Sequence, residues 1–319
     1  MLLFSLDFDA TFAQALAAGL GVPLAPHEDR SFEDGEHKLR PLLDPRGRDA
    51  YVVASLHGGP VDSPHDKLCH LLMFIATLRE HGAARVTAVV PYLAYARKDR
   101  QTKPFDPVTL RYVAQLFEAV GTSQLMVLEA HNVAAFQNAF RCTTLHLEAH
   151  RAFDGWVAEL AGDRALAVAS PDPGGVKRAQ LWRESLAQTL MRSVGFAMVD
   201  KRRSAGVVSS DNLVAGDVDG MTVLLLDDLI ASGDTMKRAA VALRRAGARE
   251  VFAFAAHGLF TGPAGEVLGD GSLAQIVVTD SVPPFRLPAT AAVSNKLRVV
   301  SAAPLFAEAI RATHAAGAR

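Results

Sequence analysis

Seven short runs rich in valine, leucine and alanine recur along this chain, alternating with longer segments whose apolar residues return at helical spacing. The runs are Ala50–Ser55, Arg85–Val90, Gln124–Glu129, Ala165–Ser170, Thr222–Leu226, Glu250–Ala255 and Gln275–Val278. Nearly continuous apolar strands belong to parallel sheets covered by helices on both faces, so the fold class is α/β. Helices are predicted over Pro64–His81, Pro107–Val120, Gly174–Val194, Thr235–Ala246 and Pro304–Ala316, with Pro107 and Pro304 near the first helical position. Each strand then hands its C-terminal end to a loop that opens a helix. Open parallel sheets bind ligands at that edge, and functional residues are sought there.

A chain of 319 residues, 50% of them hydrophobic, can bury two substantial cores. Two architecturally similar halves are expected, residues 1–147 and 148–302, with a helix over 303–319 returning to the first half. Thirty-three basic residues balance 34 acidic ones, for a net charge of −1, so no bulk field collects nucleic acid or anionic lipid and any anion site is local. No basic helical reader of DNA occurs at the N-terminus. Cys69 and Cys142 are too few for a disulfide framework or a thiolate metal cage and read as packing residues. The first residues lack a basic leader region, and no apolar run approaches the roughly 20 residues of a membrane span. A soluble, cytoplasmic protein with no membrane partner is the expectation.

The stretch Val223-Leu-Leu-Leu-Asp-Asp-Leu-Ile-Ala-Ser-Gly-Asp-Thr235 sets two carboxylates and a small-residue loop at a strand tip. Backbone N–H groups of the loop and of the next helical turn can hold a phosphate, aided by the helix dipole and by the Ser232 and Thr235 hydroxyls. Asp227 and Asp228 repel that phosphate and must face donors or positive charge, such as sugar hydroxyls or Mg²⁺. Phosphate plus vicinal diol describes ribose 5-phosphate.

Here the residues resemble a known family. Val223–Thr235 is similar to the phosphoribosyl-diphosphate (PRPP) signature of type I phosphoribosyltransferases, and segments from Phe32 to about Pro283 narrow the resemblance to the ribose-phosphate pyrophosphokinases. The resemblance implies two phosphoribosyltransferase-like domains, each a mainly parallel sheet with helices on both faces. It implies an ATP-binding part and oligomer contacts in the first, and the ribose 5-phosphate site and a catalytic flap in the second. The implied reaction moves the β,γ-diphosphoryl group of ATP to the 1-hydroxyl of ribose 5-phosphate, giving PRPP and AMP, with Mg²⁺. Asp227, Asp228, Ala231, Ser232, Gly233, Asp234 and Thr235 would hold the sugar phosphate.

Pro91-Tyr-Leu-Ala-Tyr-Ala-Arg-Lys-Asp-Arg100 clusters cations that could clamp a polyphosphate and resembles the family's ATP segment, which assigns Arg97 and Lys98 to ATP. His131 and Asp172 match the family's metal histidine and aspartate, the latter within Ser170-Pro-Asp-Pro-Gly-Gly-Val-Lys-Arg178. Lys201 and Arg203 precede a polar stretch that reads as a mobile flap, and by similarity they stabilise charge in the transition state. Phe32, Asp34 and Glu36, in Arg30-Ser-Phe-Glu-Asp-Gly-Glu36, resemble the loop that completes the adenine site of a neighbouring subunit, which implies a homo-oligomer. His57, His65 and His70 do not share one helical face, which argues against a transition-metal cluster.

Several positions depart from the family pattern. Lys98 stands where glutamine is usual, Glu129 where aspartate is, Ala231 where aspartate is, and Asp234 where glycine is. The Asp234 carboxylate must point into solvent if this loop binds phosphate. The chain ends Ala-Gly-Ala-Arg319 without the serine-rich tail of many relatives, an expectation of weak or absent phosphate and ADP control. Two other readings remain at this point: a non-catalytic regulatory paralogue, and a phosphoribosyltransferase that consumes PRPP.

Overall fold

The computed structural model describes residues 1–7, 10–200, 203–204, 207–208, 213–289 and 292–317. The chain divides into two compact units, Met1–Glu148 with Ser301–Arg319, and Ala149–Val300. The first runs β1 (Leu2–Ser5), α1 (Thr11–Leu20), β2 (His27–Ser31), β3 (His37–Pro41), β4 (Asp49–Val53), α2 (Pro64–Glu80), β5 (Arg85–Val90), α3 (Thr109–Ala119), β6 (Gln124–Leu128), α4 (Val133–Ala139) and β7 (Thr143–Leu147). The second runs α5 (His150–Ala161), β8 (Leu166–Ser170), a 3₁₀ turn (Pro173–Gly175), α6 (Val176–Thr189), β9 (Gly195–Asp200), β10 (Arg203–Ser204), β11 (Val207–Val208), β12 (Leu213–Ala215), β13 (Thr222–Ile230), α7 (Asp234–Arg245), β14 (Glu250–Gly258), α8 (Ala264–Val267), β15 (Gln275–Thr279), a 3₁₀ turn (Ala292–Asn295) and β16 (Leu297–Val300). The last helix, α9 (Ala303–Gly317), returns to the first unit.

Among the described residues the first unit holds a parallel sheet in the order β1-β4-β5-β6-β7, and β2 and β3 form a separate hairpin. The second holds a sheet ordered β12-β9-β8-β13-β14-β15-β16, parallel except for β12 at its edge. From β8 the chain builds outward to β9, and from β13 it builds the other way to β16, so strand order reverses between β8 and β13. Such a reversal opens a crevice at the carboxyl ends of two neighbouring strands.

The continuous apolar runs are explained by burial on both faces: Val223, Leu224 and Leu225 are wholly buried. One face of the second sheet carries an aromatic cluster in which Trp182 meets Phe254 at 4.9 Å and donates its indole N–H to Asp154 at 2.8 Å. Helix α9 is seated by Phe306 edge-on to Phe12 at 5.5 Å, by Arg311 donating to the Gly19 carbonyl at 2.6 Å, and by His314 on Asp49 at 2.8 Å.

Differences from the sequence reading have local causes. Strands β1, β2, β3, β7, β9 and β16 lie outside the expected set; β2 reads His-Glu-Asp-Arg-Ser, lacks an apolar run and is largely exposed. The helix expected over Gly174–Val194 is a 3₁₀ turn followed by α6, and it stops at Thr189, two residues before Met191 takes a left-handed φ of +52°. Cys69, expected to be a packing residue, is exposed on α2. Cys142 is half-buried, and burial, then the Glu118 charge, push its thiol up to about 11.

Candidate active site

Strand β13 pairs with β8 only as far as Leu225 opposite Ala169, yet it continues beside β14 to Ile230 opposite Gly258. Asp227 and Asp228 therefore stand past the last rung of β8, at the reversal point. Asp228 is buried and its N–H donates to Asp227 Oδ1 at 2.8 Å. The Asp227 side chain is only 16% exposed, and Arg178 Nη1 lies 3.8 Å from its Oδ1. Burial and the adjacent Asp228 charge hold the Asp227 carboxyl well above the usual range, and the Arg178 guanidinium opposes them.

The loop that follows is fixed from behind. The Ile230 carbonyl accepts from the N–H groups of Leu259 and Phe260, and the Ala231 carbonyl from Thr261 at 3.0 Å. Gly233 then turns the chain at φ +85° and, as the N-cap of α7, brings no side chain of its own; Ser232 Oγ accepts the Asp234 N–H at a long 3.5 Å. The first-turn N–H groups and positive dipole end of α7 are thus available to an anion. Asp234 is exposed but does not point to solvent alone: its Oδ2 accepts the Ser232 hydroxyl at 2.6 Å. Thr235 is half-buried beside it.

Across the reversal point, the loop after β8 is held by Ser170 Oγ donating to the Asp172 carbonyl at 2.6 Å. Asp172 Oδ1 accepts the N–H groups of Gly174 at 2.9 Å and Gly175 at 3.3 Å, capping the turn that leads into α6. Only one carboxylate oxygen serves in these bonds. Asp172, Arg178, Asp227, Asp228 and the loop to Thr235 therefore all belong to one edge of one sheet.

In the first unit, Arg97 and His131 are exposed in the loops after β5 and β6. The two loops are joined, because Asn132 caps α4 through Oδ1 and donates from Nδ2 to Asp99 at 2.7 Å. Tyr95 and Glu129 sit at φ +66° and +43°, an uncommon conformation for such residues, which concentrates backbone strain at this edge. Lys98 is spent on the loop itself: Nζ donates to Asp106 Oδ2 at 2.5 Å, where Thr102 and Lys103 also converge. Asp106 is held far below the usual carboxylate range by these bonds, that from Lys98 first.

Phe32, Asp34 and Glu36 form the exposed tip of the β2–β3 hairpin. The Phe32 N–H donates to the Glu36 carbonyl at 2.7 Å, and the Arg30 guanidinium lies 5.1 Å from the Phe32 ring. The three histidines disperse. His57 contacts Lys67, His65 bonds the Tyr95 hydroxyl, and His70 packs against His37 with ring centroids 3.9 Å apart and planes tilted by 48°. Lys201 lies outside the described residues, and Arg203 opens β10, paired with Val208 of β11. The sequence reading quoted Arg178 only within a motif and gave it no role. The signal that finds it is a pair of cations, Lys177 and Arg178, in the first turn of a helix, where the dipole disfavours them.

Three comparisons bear on this geometry. Residues 1–121 match the model of the N-terminal domain of ribose phosphate pyrophosphokinase, and residues 207–318 match the phosphoribosyl synthetase-associated domain. The chain is 35% identical to the ribose-phosphate pyrophosphokinase of Caldanaerobacter subterraneus, covering 98% of this chain and 94% of that one. It is 34% identical to the corresponding protein of Wolinella succinogenes, covering 94% and 91%. The crystal structure of phosphoribosylpyrophosphate synthetase from Mycobacterium smegmatis superposes with a TM-score of 0.84 at 32% identity, over 98% of both chains. With identity at this level along nearly the whole length, and with the reversal-point edge built as described, the chain belongs to the ribose-phosphate pyrophosphokinase family of enzymes.

Proposed function

We propose that this protein transfers the β,γ-diphosphoryl group of ATP to the 1-hydroxyl of ribose 5-phosphate, releasing AMP and PRPP. The observation that carries the proposal is the run from Asp227 to Thr235: two adjacent carboxylates beyond the end of β8, then an α7 N-terminus whose N-cap, Gly233, brings no side chain to its first-turn N–H groups. The sugar's phosphate docks on the N–H groups of Ser232 to Thr235 and on the two hydroxyls, while Asp227 and Asp228 accept from the ribose diol.

By the family resemblance, Arg97 is assigned to the nucleotide phosphates and His131 and Asp172 to their metal. Lys98 contributes through the loop it ties to Asp106. The donor set suits Mg²⁺ bound mainly through water and substrate phosphates, since among the described residues no three His, Cys, Asp or Glu side chains converge on a cage. His131 and Asp172 would hold it, and when bound it supplies charge neutralisation on the polyphosphate.

In the reaction the ribose O1 forms a bond to the β-phosphorus in line with the departing bridge oxygen, which leaves with AMP; the O1 proton passes to solvent. Lys201 and Arg203 neutralise charge that develops at the bridge, and the protein's share is positioning and electrostatics rather than covalent chemistry. Phe32, Asp34 and Glu36 complete the adenine site of a second copy, so the working form is a homo-oligomer. No helix among the described residues is long and apolar enough to cross a membrane; a cytoplasmic location is part of the proposal and rests on the reaction's substrates, a nucleotide and a sugar phosphate.

The test is AMP release from ATP, measured with and without ribose 5-phosphate and with and without a chelator. Turnover that requires both sugar and Mg²⁺ supports the reading. Nucleotide binding without sugar-dependent AMP release overturns it in favour of a regulatory paralogue.

A further inference from the structure

The Asp227–Asp228 pair raises a physical difficulty that the sugar site must solve. Two adjacent buried carboxylates cannot both serve as acceptors unless positive charge offsets them, because burial and mutual repulsion drive a proton onto one. The carboxyl of Asp227 is pushed upward by these two causes, and the opposing charge on it comes from Arg178. That residue sits in the first turn of α6 next to Lys177, with no acidic residue in the turn. A cation there works against the helix dipole, so the helix itself gives no reason for it.

Local construction brings the guanidinium into place. A Cβ on Gly175 would lie 2.7 Å from Ser170 Oγ, 3.7 Å from Arg178 Nη1 and 3.8 Å from the Leu226 carbonyl. Glycine at this position is what lets the start of α6 close onto the tips of β8 and β13. Arg178 Nη1 then approaches Asp227 Oδ1 to 3.8 Å, with both side chains mostly buried, at 14% and 16% exposure. The same oxygen accepts the Asp228 N–H at 2.8 Å. Oδ1 thus takes both the Asp228 N–H and the nearest approach of the guanidinium, which fixes the orientation of the Asp227 carboxylate.

We infer that Arg178 is a positioning residue for the sugar diol: its guanidinium orients Asp227 and supplies the charge that lets both carboxylates accept ribose hydroxyls. The inference rests on the ribose 5-phosphate reading of this edge. Its consequence is selectivity, because a site built to receive a hydroxyl rejects an analogue that lacks it far more strongly than an apolar pocket would. Loss of Arg178 blunts that rejection, whereas a merely structural arginine would lower activity toward both sugars alike.

The experiment compares wild type, Arg178→Met and Arg178→Lys with ribose 5-phosphate and 2-deoxyribose 5-phosphate as acceptors. In Arg178→Met, KM for ribose 5-phosphate rises by at least about tenfold, KM for ATP stays within about twofold, and the preference for ribose over deoxyribose in kcat/KM falls by at least about fivefold. Arg178→Lys, which keeps the charge but not the planar fork, lies between. If Arg178→Met does not fold, Arg178→Lys with calorimetric titration of ribose 5-phosphate decides by the same ratio. An unchanged preference and an unchanged KM for the sugar overturn the inference alone. A wild-type protein with no dependence on ribose 5-phosphate overturns the site reading and the inference with it.

Discussion

Gly233 is the point at which a single methyl group should disable the phosphate loop. Its φ of +85° lies in the left-handed region, which disfavours an alanine by about 1–2 kcal/mol. A Cβ there would also lie 2.6, 2.8 and 3.0 Å from the Cγ, Cδ2 and Cδ1 atoms of Leu268. Leu268 is wholly buried behind the loop and has nowhere to go, so overpacking adds about 1–3 kcal/mol. The sum, about 2–5 kcal/mol in a unit of this size, lowers the melting temperature by about 5–15 °C. Relief of the clash by a shift of the first turn of α7 moves the N–H groups off the phosphate, and KM for ribose 5-phosphate rises by at least about tenfold. Scanning calorimetry and steady-state kinetics on Gly233→Ala, Leu268→Ala and the double variant separate the two causes. In the Leu268→Ala background the crowding is gone and only the φ cost remains, so the coupling between the sites is about 1–3 kcal/mol and favourable. Strict additivity would refute the packing argument, and an unaltered melting temperature would refute both parts of it.

Three further outcomes are expected. For Asp234→Asn, a solvent-screened effective dielectric near 40 and a phosphate ~6 Å away give about 1.4 kcal/mol of relieved repulsion, so KM for ribose 5-phosphate falls by up to about tenfold, less in high salt; a raised KM would count against the loop as the phosphate site. Lys201→Ala lowers turnover by at least about 100-fold, and a variant with near-normal kcat would remove this side chain from the transition state. Asp154, the acceptor for the Trp182 indole, has a carboxyl raised chiefly by burial. The folded state therefore binds its proton more tightly than the unfolded state, and its contribution to stability falls as pH rises from the ordinary carboxylate range through the folded pKa. Asp154→Asn, which keeps an acceptor without the charge, should flatten that decline and stabilise the protein at neutral pH; equal pH dependence of the melting temperature in both proteins would contradict this.

The Asp227–Thr235 run was legible because each of its features is local: four aliphatic residues, two acids and a small-residue turn need no distant partner to be recognised. The Arg97 loop was legible as a cation cluster, but its internal division of labour was not. Lys98 looks in sequence like a phosphate ligand, and only the fold of the loop brings Asp106 to its ammonium group. The solvent-pointing Asp234 expected from charge repulsion likewise overlooked the Ser232 hydroxyl two residues away, which donates to its carboxylate. The polar hairpin β2–β3 escaped because it lacks the apolar periodicity by which strands announce themselves.

What the amino-acid sequence determined by itself was the alternation of strand and helix, the parallel α/β class and the chemistry carried on individual loops. These follow from residue type and spacing over stretches of a dozen residues or fewer. Tertiary structure alone decided that strand order reverses between β8 and β13, that β13 outruns β8 so that Asp227 and Asp228 lie beyond its last rung, and that Arg178 comes to Asp227 from another element. Those are relations between segments about 50 residues apart in the chain. They depend on which strand lies beside which and where each one ends, and no periodicity within a segment records that.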